Sequence, residues 1–278
     1  MIHVVGSTGF IGKNIRKQAG EVGWKYYSSK RYLKLDRTGE IDIFDSKTWG
    51  NLEAAEGDKI VMLSWKGLPN YEELFHLNEN LLACFEFIRY AIKTGVKEVV
   101  VAGTCFEYGI QNGCLKESAE CKPGNSYSVA KDTLRRMLEC TLKIEDVKLK
   151  WLRIFYPYGI DQNERCLYPS LIKAIKESKP LFNTSQGDQI RDFIHIDKCC
   201  RMIIEVINEE SAEGIINIGS GRPVSIRDFL EEQIKLNNGS IELNLGHYPR
   251  RKDEPLAFWA DLDKYKKITE KIRYTVND

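Results

Sequence analysis

Hydrophobic and polar residues alternate along the N-terminal half of the chain between short apolar runs and longer amphipathic stretches. Short apolar runs, typical of buried strands, lie at 59–63, 96–102 and 148–155. Stretches with helical periodicity lie between them, at 78–92 and 127–142. Because apolar strands that alternate with helices assemble into a parallel sheet covered on both faces, the pattern predicts an α/β fold with a doubly wound parallel sheet.

The pattern loosens after residue 159. The elements predicted there are helices at 168–178 and 225–236 and a turn region at 180–187. We therefore predict a larger domain over residues 1–159 and a smaller C-terminal lobe over 160–278, with 187–217 returning to the sheet of the first domain.

A glycine-rich turn follows the first apolar run, Ile2-His3-Val4-Val5, and precedes a helical stretch. Glycines in a strand–turn–helix unit let the backbone turn tightly and approach a pyrophosphate, whose charge is stabilised by the helix N-terminus. The dinucleotide-binding residues predicted in this turn are Gly6, Thr8, Gly9, Phe10, Ile11 and Gly12. Ligands of such sheets lie beyond the carboxyl ends of the strands, where Leu63, Thr104 and Phe155 also fall.

A tyrosine and a lysine stand four residues apart in Ser126-Tyr127-Ser128-Val129-Ala130-Lys131. On a helix this spacing places the phenol and the ammonium on one face. A nearby ammonium favours the phenolate, so we expect Lys131 to lower the pKa of Tyr127 from its ordinary value of about 10. The pair is thereby predicted to serve as a general acid–base group.

Composition and charge narrow the class of protein. The 278 residues are 42% hydrophobic and have a net charge of +1, so the chain can bury a full core and has no charge bias toward nucleic acid or membrane. No charged-then-apolar leader and no apolar run near the roughly 18 residues of a membrane span stand out, and we expect a cytoplasmic enzyme. The eight cysteines include no C-x-x-C pair, which predicts reduced thiols and no metal site.

Several motifs follow one another along the chain. They are Gly6-Ser7-Thr8-Gly9-Phe10-Ile11-Gly12, Leu63-Ser64-Trp65, Gly103-Thr104-Cys105-Phe106-Glu107-Tyr108-Gly109, Tyr127-x-x-x-Lys131, Arg153-Ile154-Phe155-Tyr156-Pro157-Tyr158-Gly159, Arg191-Asp192-Phe193-Ile194-His195-Ile196-Asp197 and Asn217-Ile218-Gly219-Ser220-Gly221. In this order they resemble the extended short-chain dehydrogenases/reductases of the nucleotide-sugar epimerase/dehydratase family, over nearly the whole chain. The resemblance implies a Rossmann domain that binds NAD(P) and a smaller lobe that binds a nucleotide-diphosphate sugar.

The resemblance also assigns roles to three residues by their place in the motifs. Thr104 lies where the family carries its catalytic serine or threonine and would hold the substrate oxygen. Tyr127 would pass a proton to or from that oxygen, while Lys131 would bind the nicotinamide ribose. The alternative for Thr104 is a buried hydroxyl at the end of a strand.

The end of the second strand bears on the choice of cofactor. An NAD enzyme places an acidic residue there, which accepts from the ribose 2′-hydroxyl, whereas this chain has Lys30 and Arg31. Two cations can bind a 2′-phosphate, so NADP(H) is predicted over NAD(H). The alternative is a pair of solvated turn residues. Asp42 resembles the adenine-contacting aspartate that follows the third strand in the family, although a turn carboxylate would look the same.

The residues after Thr104 bear on the reaction. Family members that eliminate water from a sugar carry an acidic pair there, whereas this chain has Cys105 and Phe106, so dehydration is disfavoured. We expect these two residues to contact the substrate; the alternative for Cys105 is a small packed thiol. Reduction of a C4 keto group and redox epimerisation at C4 remain.

The cofactor distinguishes those two reactions in the family, because a 4-epimerase retains its cofactor and generally uses NAD, whereas a reductase consumes NADPH. The Lys30–Arg31 pair therefore favours a reductase of nucleotide-linked 4-keto-6-deoxyhexoses, of the kind that supplies deoxysugars for surface polysaccharides such as O-antigen. A 4-epimerase is the alternative. An NADP-sensing regulator is a further one, although such regulators typically lack the tyrosine or the lysine.

Three arginines in the second half of the chain lie in segments that resemble those near the substrate nucleotide in the family. They are Arg191, Arg250 and Arg251, which could clamp phosphates bidentately. Arginine–aspartate pairs such as Arg191-Asp192 often only pin loops. His195 is expected to orient a loop or join the core. A homodimer through the helices at 77–92 and 134–142 is also expected, since helix-to-helix dimers are common in the family.

Overall fold

A parallel β-sheet organises the chain in the computed structural model, which describes residues 1–29, 38–249 and 254–275. The described strands are β1 (Ile2–Val5), β2 (Trp24–Ser28), β3 (Thr38–Glu40), β4 (Lys59–Met62), β5 (Glu98–Thr104), β6 (Gly113–Leu115), β7 (Lys148–Ile154), β8 (Tyr156–Tyr158), β9 (Leu181–Asn183), β10 (Ile190–Arg191), β11 (Phe193–His195), β12 (Gly214–Ile218), β13 (Val224–Ser225), β14 (Glu242–Asn244) and β15 (Phe258–Ala260). The described α-helices are α1 (Phe10–Ala19), α2 (Leu81–Lys93), α3 (Ser126–Ile144), α4 (Leu167–Lys176), α5 (Ile196–Asn208), α6 (Ile226–Leu236) and α7 (Asp263–Thr275).

The main sheet has the order β12-β7-β5-β4-β1-β2-β3 within the described residues, and all its neighbours are parallel. The chain passes from β1 to β2 on one side and later returns to β4 on the other, so the order reverses at β1. Leu63, directly after β4, donates its N–H to the carbonyl of Val5 at 2.9 Å. Such a reversal opens a crevice at the carboxyl ends of the strands. The predicted doubly wound α/β fold is confirmed.

Alternate residues along the strands of the main sheet pack into two different hydrophobic layers. Val5 packs into the layer under α2 and α3, whereas its neighbour Val4 packs into the layer under α1 and α5. The same alternation separates Ile60 from Val61 on β4. Because successive strand side chains point to opposite faces, both faces of the sheet are covered by helices, as the near-continuous apolar runs predict.

A smaller hydrophobic layer lies in the C-terminal part of the chain. Its buried members are Leu171, Ala174, Phe182, Phe229, Leu230 and Ile241, from α4, α6 and their neighbours. The region predicted as a turn at 180–187 contains β9, which pairs in parallel with β14. The prediction of a turn was wrong here because β9 has only three residues and its partner strand follows about sixty residues later, so the local sequence does not indicate a strand.

The predicted helices are present at the expected places in the chain, but their first and last residues differ from the prediction. The stretch at 78–92 begins with a π-helical turn, His76–Asn80, before α2. The helix at 168–178 runs over Leu167–Lys176. In the C-terminal half, β12 joins the main sheet by pairing with β7 and α5 packs onto one face of that sheet, while the division at residue 159 stays a prediction. Of the helices in the described ranges, none is both long and apolar enough to cross a bilayer.

The glycine turn after β1 is tightly packed against its surroundings. Gly6 has φ +91°, and a Cβ there would lie 2.6 Å from the backbone nitrogen of Ser64. A Cβ on Gly12, in the first turn of α1, would lie 2.7 Å from the Cα of Ser7 and closer still to the carbonyl of Gly6. The helix therefore begins in direct contact with the turn, which only glycine permits.

We predict that Gly12→Ala destabilises the protein by about 1–3 kcal/mol, because the added methyl group displaces backbone that cannot move independently. The free energy of unfolding in urea measures the loss. Gly50→Ala is the matched control, since no atom lies within 4 Å of a Cβ at that exposed position. Equal effects of the two substitutions would show that the turn is not tightly packed.

Candidate active site

A capping box sets the beginning of α3 and with it the position of Tyr127. The Asn125 side chain accepts from the Ser128 N–H at 2.8 Å, and the Ser128 hydroxyl accepts from the Asn125 N–H at 3.2 Å. The N–H of Tyr127, which has no partner within the helix, donates to the carbonyl of Tyr71 at 2.9 Å. The first turn of α3 is thus bound to the segment that follows β4.

Lys131 lies one turn further along α3, as the spacing predicts. Its side chain is 3% exposed, and its Nζ donates to the carbonyl of Ala102 on β5 at 2.8 Å. The same Nζ lies 3.8 Å from the centroid of the Trp65 ring, in a cation–π contact. Burial lowers the pKa of Lys131 to about 8.

The expected lowering of the Tyr127 pKa is wrong for this structure. Burial raises the pKa of the phenol well above its ordinary value, with the nearby Tyr71 adding to the effect, and the neighbouring Thr104 side chain only partly opposes it. Loss of solvent outweighs any attraction from Lys131, whose ammonium is bound by Ala102 and Trp65. The phenol of Tyr127 therefore carries its proton at neutral pH.

Thr104 ends β5 and opens a single helical turn, Cys105–Tyr108. Its hydroxyl accepts from the Phe106 N–H at 3.3 Å, while its own N–H donates to the Glu107 carboxylate at 2.8 Å. Glu107 is fully buried and also accepts from Arg153 at 2.8 Å and from the Trp151 indole at 2.9 Å. This buried ion pair holds the turn, so Thr104 is fixed next to Tyr127.

Three side chains after β4 surround Tyr127. The ring centroids of Trp65, Tyr71 and His76 lie 5.9, 5.6 and 5.3 Å from that of Tyr127. Sequence analysis noted Trp65 only as part of a motif and missed the other two. The only available signal was the aromatic content of the stretch between β4 and α2, which does not show where these rings point.

A cavity of about 650 Å³ opens beside this cluster, between the main sheet and the C-terminal layer. Its aromatic lining consists of Tyr71, Phe106, Tyr156, Tyr158, Tyr168, Phe193 and Phe229, and its polar lining includes Asn70, Gln162, Arg165, Arg191 and Glu254. Tyr71 and Phe106 meet edge to face at 5.1 Å. Because Tyr71 also contacts Tyr127, the wall of the cavity is continuous with the surroundings of the phenol.

Two of the predicted substrate residues differ in their relation to this cavity. Arg191 lines it, although its guanidinium is buried and paired with Glu254 at 3.1 Å. Cys105 lies in a hydrophobic cluster with Tyr108 and Phe155, where burial raises the pKa of its thiol. This placement agrees with the packed-thiol alternative for Cys105.

The predicted cofactor residues that the structure describes, apart from Lys131 on α3, follow the carboxyl ends of β1, β3 and β4. Within the glycine turn, the Thr8 hydroxyl is 2.7 Å from the hydroxyl of Ser28, the last residue of β2. Phe10 and Ile11, in the first turn of α1, lie against the second hydrophobic layer. Asp42 follows β3, and its side chain accepts from the Phe44 N–H at 3.0 Å, as a turn carboxylate would.

The backbone conformation supports a dinucleotide site at this edge. The chain is packed so closely at Gly6 and Gly12 that no Cβ fits there, and this turn lies directly before the N-terminus of α1. Lys30, Arg31, Arg250 and Arg251 lie outside the described residues. His195 is exposed, and its ring accepts from the Asp197 N–H at 3.3 Å, which orients the start of α5. The roles of all these residues stay predictions.

Comparisons with known proteins place this site in a family. A sequence model of the NAD dependent epimerase/dehydratase family matches residues 2–219. A dTDP-6-deoxy-L-talose 4-dehydrogenase (NAD(+)) from Aggregatibacter actinomycetemcomitans is 28% identical over 269 residues, which are 93% of this chain and 98% of the relative. A GDP-6-deoxy-D-talose 4-dehydrogenase from the same organism is 25% identical, over 91% of this chain and 85% of the relative.

The fold is shared with solved structures. The UDP-glucuronic acid 4-epimerase from Bacillus cereus, solved in complex with UDP-glucuronic acid and NAD, matches with a TM-score of 0.83 over 97% of this chain and 92% of that one, at 22% identity. Because the family model spans most of the chain, including the glycine turn and the Tyr127–Lys131 helix, this protein belongs to the NAD dependent epimerase/dehydratase family.

Proposed function

We propose that this protein reduces the C4 keto group of a nucleotide-linked 4-keto-6-deoxyhexose with NADPH. The observation that carries the proposal is the position of Tyr127, which is buried next to Thr104 and Lys131 and lies beside an aromatic cavity. The two relatives named as 4-dehydrogenases of 6-deoxytalose nucleotides support it, because oxidation at C4 is the reverse of this reduction.

The reaction needs one hydride and one proton. A dinucleotide held by the Gly6–Gly12 turn and by Lys131 would supply the hydride for the C4–H bond. Tyr127 donates its phenolic proton to the carbonyl oxygen as that oxygen gains charge, and the Thr104 hydroxyl holds the same oxygen. A phenol whose pKa is raised by burial stays protonated at neutral pH, which suits donation in the direction of reduction.

The cavity suits a substrate with both apolar and anionic parts. Its aromatic rings can stack on a nucleobase and face a sugar that carries a methyl group at C5. Of the two described arginines at its wall, Arg165 and Arg191, we propose that Arg191 meets the diphosphate, with Arg250 and Arg251 adding to it. We also propose a homodimer through α2 and α3, which pack against each other and leave Leu82 of α2 52% exposed.

Turnover with a panel of nucleotide-linked 4-keto-6-deoxysugars tests the function. We expect consumption of NADPH absorbance together with formation of the 4-hydroxy product. Tyr127→Phe should lower kcat by about 10²–10⁴-fold, because the proton donor is lost, while the cofactor Kd changes little. Tyr90→Phe, on α2 in ring contact with Trp49, is the matched control and should keep full activity.

Other outcomes of this assay identify the alternatives. Interconversion of C4 epimers without net use of NADPH would identify a 4-epimerase. Tight binding of NADPH without turnover of any sugar would identify a sensor. A large loss of cofactor affinity in Tyr127→Phe would contradict the role of the phenol as a proton donor.

The cofactor preference is tested at the end of β2. We propose that Lys30 and Arg31 bind the 2′-phosphate of NADPH, next to the Thr8–Ser28 hydroxyl pair. Lys30→Asp combined with Arg31→Ala should then weaken NADPH binding by about 10–100-fold and NADH binding much less, measured by cofactor fluorescence. The double substitution Lys47→Asp with Lys97→Ala, which removes two exposed cations outside the proposed site, is the charge-matched control. Equal losses of affinity for both cofactors would contradict the NADPH preference and favour NAD(H), the cofactor in the name of one relative.

A further inference from the structure

We propose that Trp65 and His76 are positioning residues that hold the Lys131 ammonium beside Tyr127. The proposal rests on the function proposed above, in which Lys131 binds the nicotinamide ribose. Neither residue contributes a reacting atom. Their role follows from a chain of three contacts that leads from a buried histidine to the ammonium.

The first contact is between Trp65 and Lys131. The Nζ lies 3.8 Å from the centroid of the indole ring, and the carbonyl of Ala102 accepts from it at 2.8 Å. An ammonium that has lost its water needs such partners, because an unsolvated charge is otherwise costly. The ring and the carbonyl therefore replace part of the hydration of Lys131.

The second contact fixes the ring. The Trp65 indole N–H donates to Nδ1 of His76 at 3.0 Å. An indole nitrogen can only donate, so Nδ1 of His76 carries no proton. The proton is then on Nε2, which donates to the carbonyl of Asn70 at 2.8 Å. His76 is thereby held neutral and in one tautomer by its two neighbours.

The third contact ties His76 to the rest of the segment. The side-chain nitrogen of Asn80 lies 3.2 Å from Nδ1 of His76, and the same side chain bonds both the N–H and the carbonyl of Lys66. His76 is fully buried, and burial lowers its pKa, with Lys131 adding to the effect. A proton on Nδ1 would face two N–H donors, so the neutral form is the one that holds Trp65.

Several ionisable groups face Lys131 and its neighbours. Cys84 on α2 and Glu107 after β5 both favour the ammonium, while burial opposes it. Tyr127 lies on the same helix, and Glu73 acts on His76 from the segment after β4. None of these contacts the ammonium as directly as the ring face of Trp65, so removal of that ring has the clearest predicted effect.

Four substitutions separate the ring from the hydrogen bond. Trp65→Leu removes both, and Trp65→Phe keeps a ring but loses the N–H donor. His76→Leu removes the acceptor, and His76→Asn restores an acceptor near the position of Nδ1. Trp24→Leu, a half-buried tryptophan stacked on Tyr26 at the far end of β2, is the matched control.

The expected result is a change in the alkaline limb of the pH profile of kcat. Trp65→Leu should move that limb to lower pH by about half a unit to one unit, because a lost cation–π contact favours neutral lysine. Trp65→Phe should move it less. His76→Leu should lower kcat by about 10-fold, His76→Asn should recover most of that loss, and Trp65→Phe combined with His76→Leu should be no worse than His76→Leu alone, since both remove one hydrogen bond.

A second measurement does not depend on turnover. Titration of isotope-labelled lysine by NMR follows Lys131 directly, and its midpoint should fall in Trp65→Leu and stay unchanged in Trp24→Leu. Without turnover in the wild type, the proposed function fails while this titration still decides the role of Trp65. An unchanged Lys131 midpoint in Trp65→Leu, or kcat losses that multiply in the double variant, would overturn the positioning role.

Discussion

Burial of charge at the carboxyl edge of the sheet is the constraint on which the rest of this structure depends. A charge removed from water is tolerated only where other groups replace its hydration. Lys131 has the Ala102 carbonyl and the Trp65 ring, and Glu107 has Arg153, Trp151 and the N–H of Thr104. These partners come from different parts of the chain, so α3, β5, β7 and the segment after β4 must meet in one arrangement.

That arrangement has chemical consequences. The partners that solvate Lys131 and Glu107 also exclude water from Tyr127, whose phenol then stays protonated. The turn that Glu107 stabilises places Thr104 next to the same phenol. The aromatic rings of Tyr71 and Phe106 contact each other and line the cavity, so the apolar surroundings of the phenol continue into the cavity wall. A proton donor, a hydroxyl and a sugar-sized space are brought together by the same contacts that stabilise the buried charges.

The predictions from sequence were correct where the structure depends on a short local segment. The strand–glycine–helix unit at Gly6–Gly12 and the four-residue spacing of Tyr127 and Lys131 are properties of short segments, and both stand where they were predicted. The predictions failed where the answer depends on distant neighbours. The pKa of Tyr127 rises because the surroundings remove solvent, and β9 exists because β14 pairs with it. The ring contacts of Trp65, Tyr71 and His76 depend on the path of the chain after β4.

By itself, the sequence determined the alternation of buried strands and helices, the glycine turn that only a small residue can form, and the order of motifs that marks the family. These features depend on backbone geometry and on hydrophobic periodicity, which act over a few residues. Only the tertiary structure decided the rise of the Tyr127 pKa, the partners of Lys131 and the packing of Cys105 with Tyr108 and Phe155. These depend on which groups exclude water from one another, and residues far apart in the chain determine that.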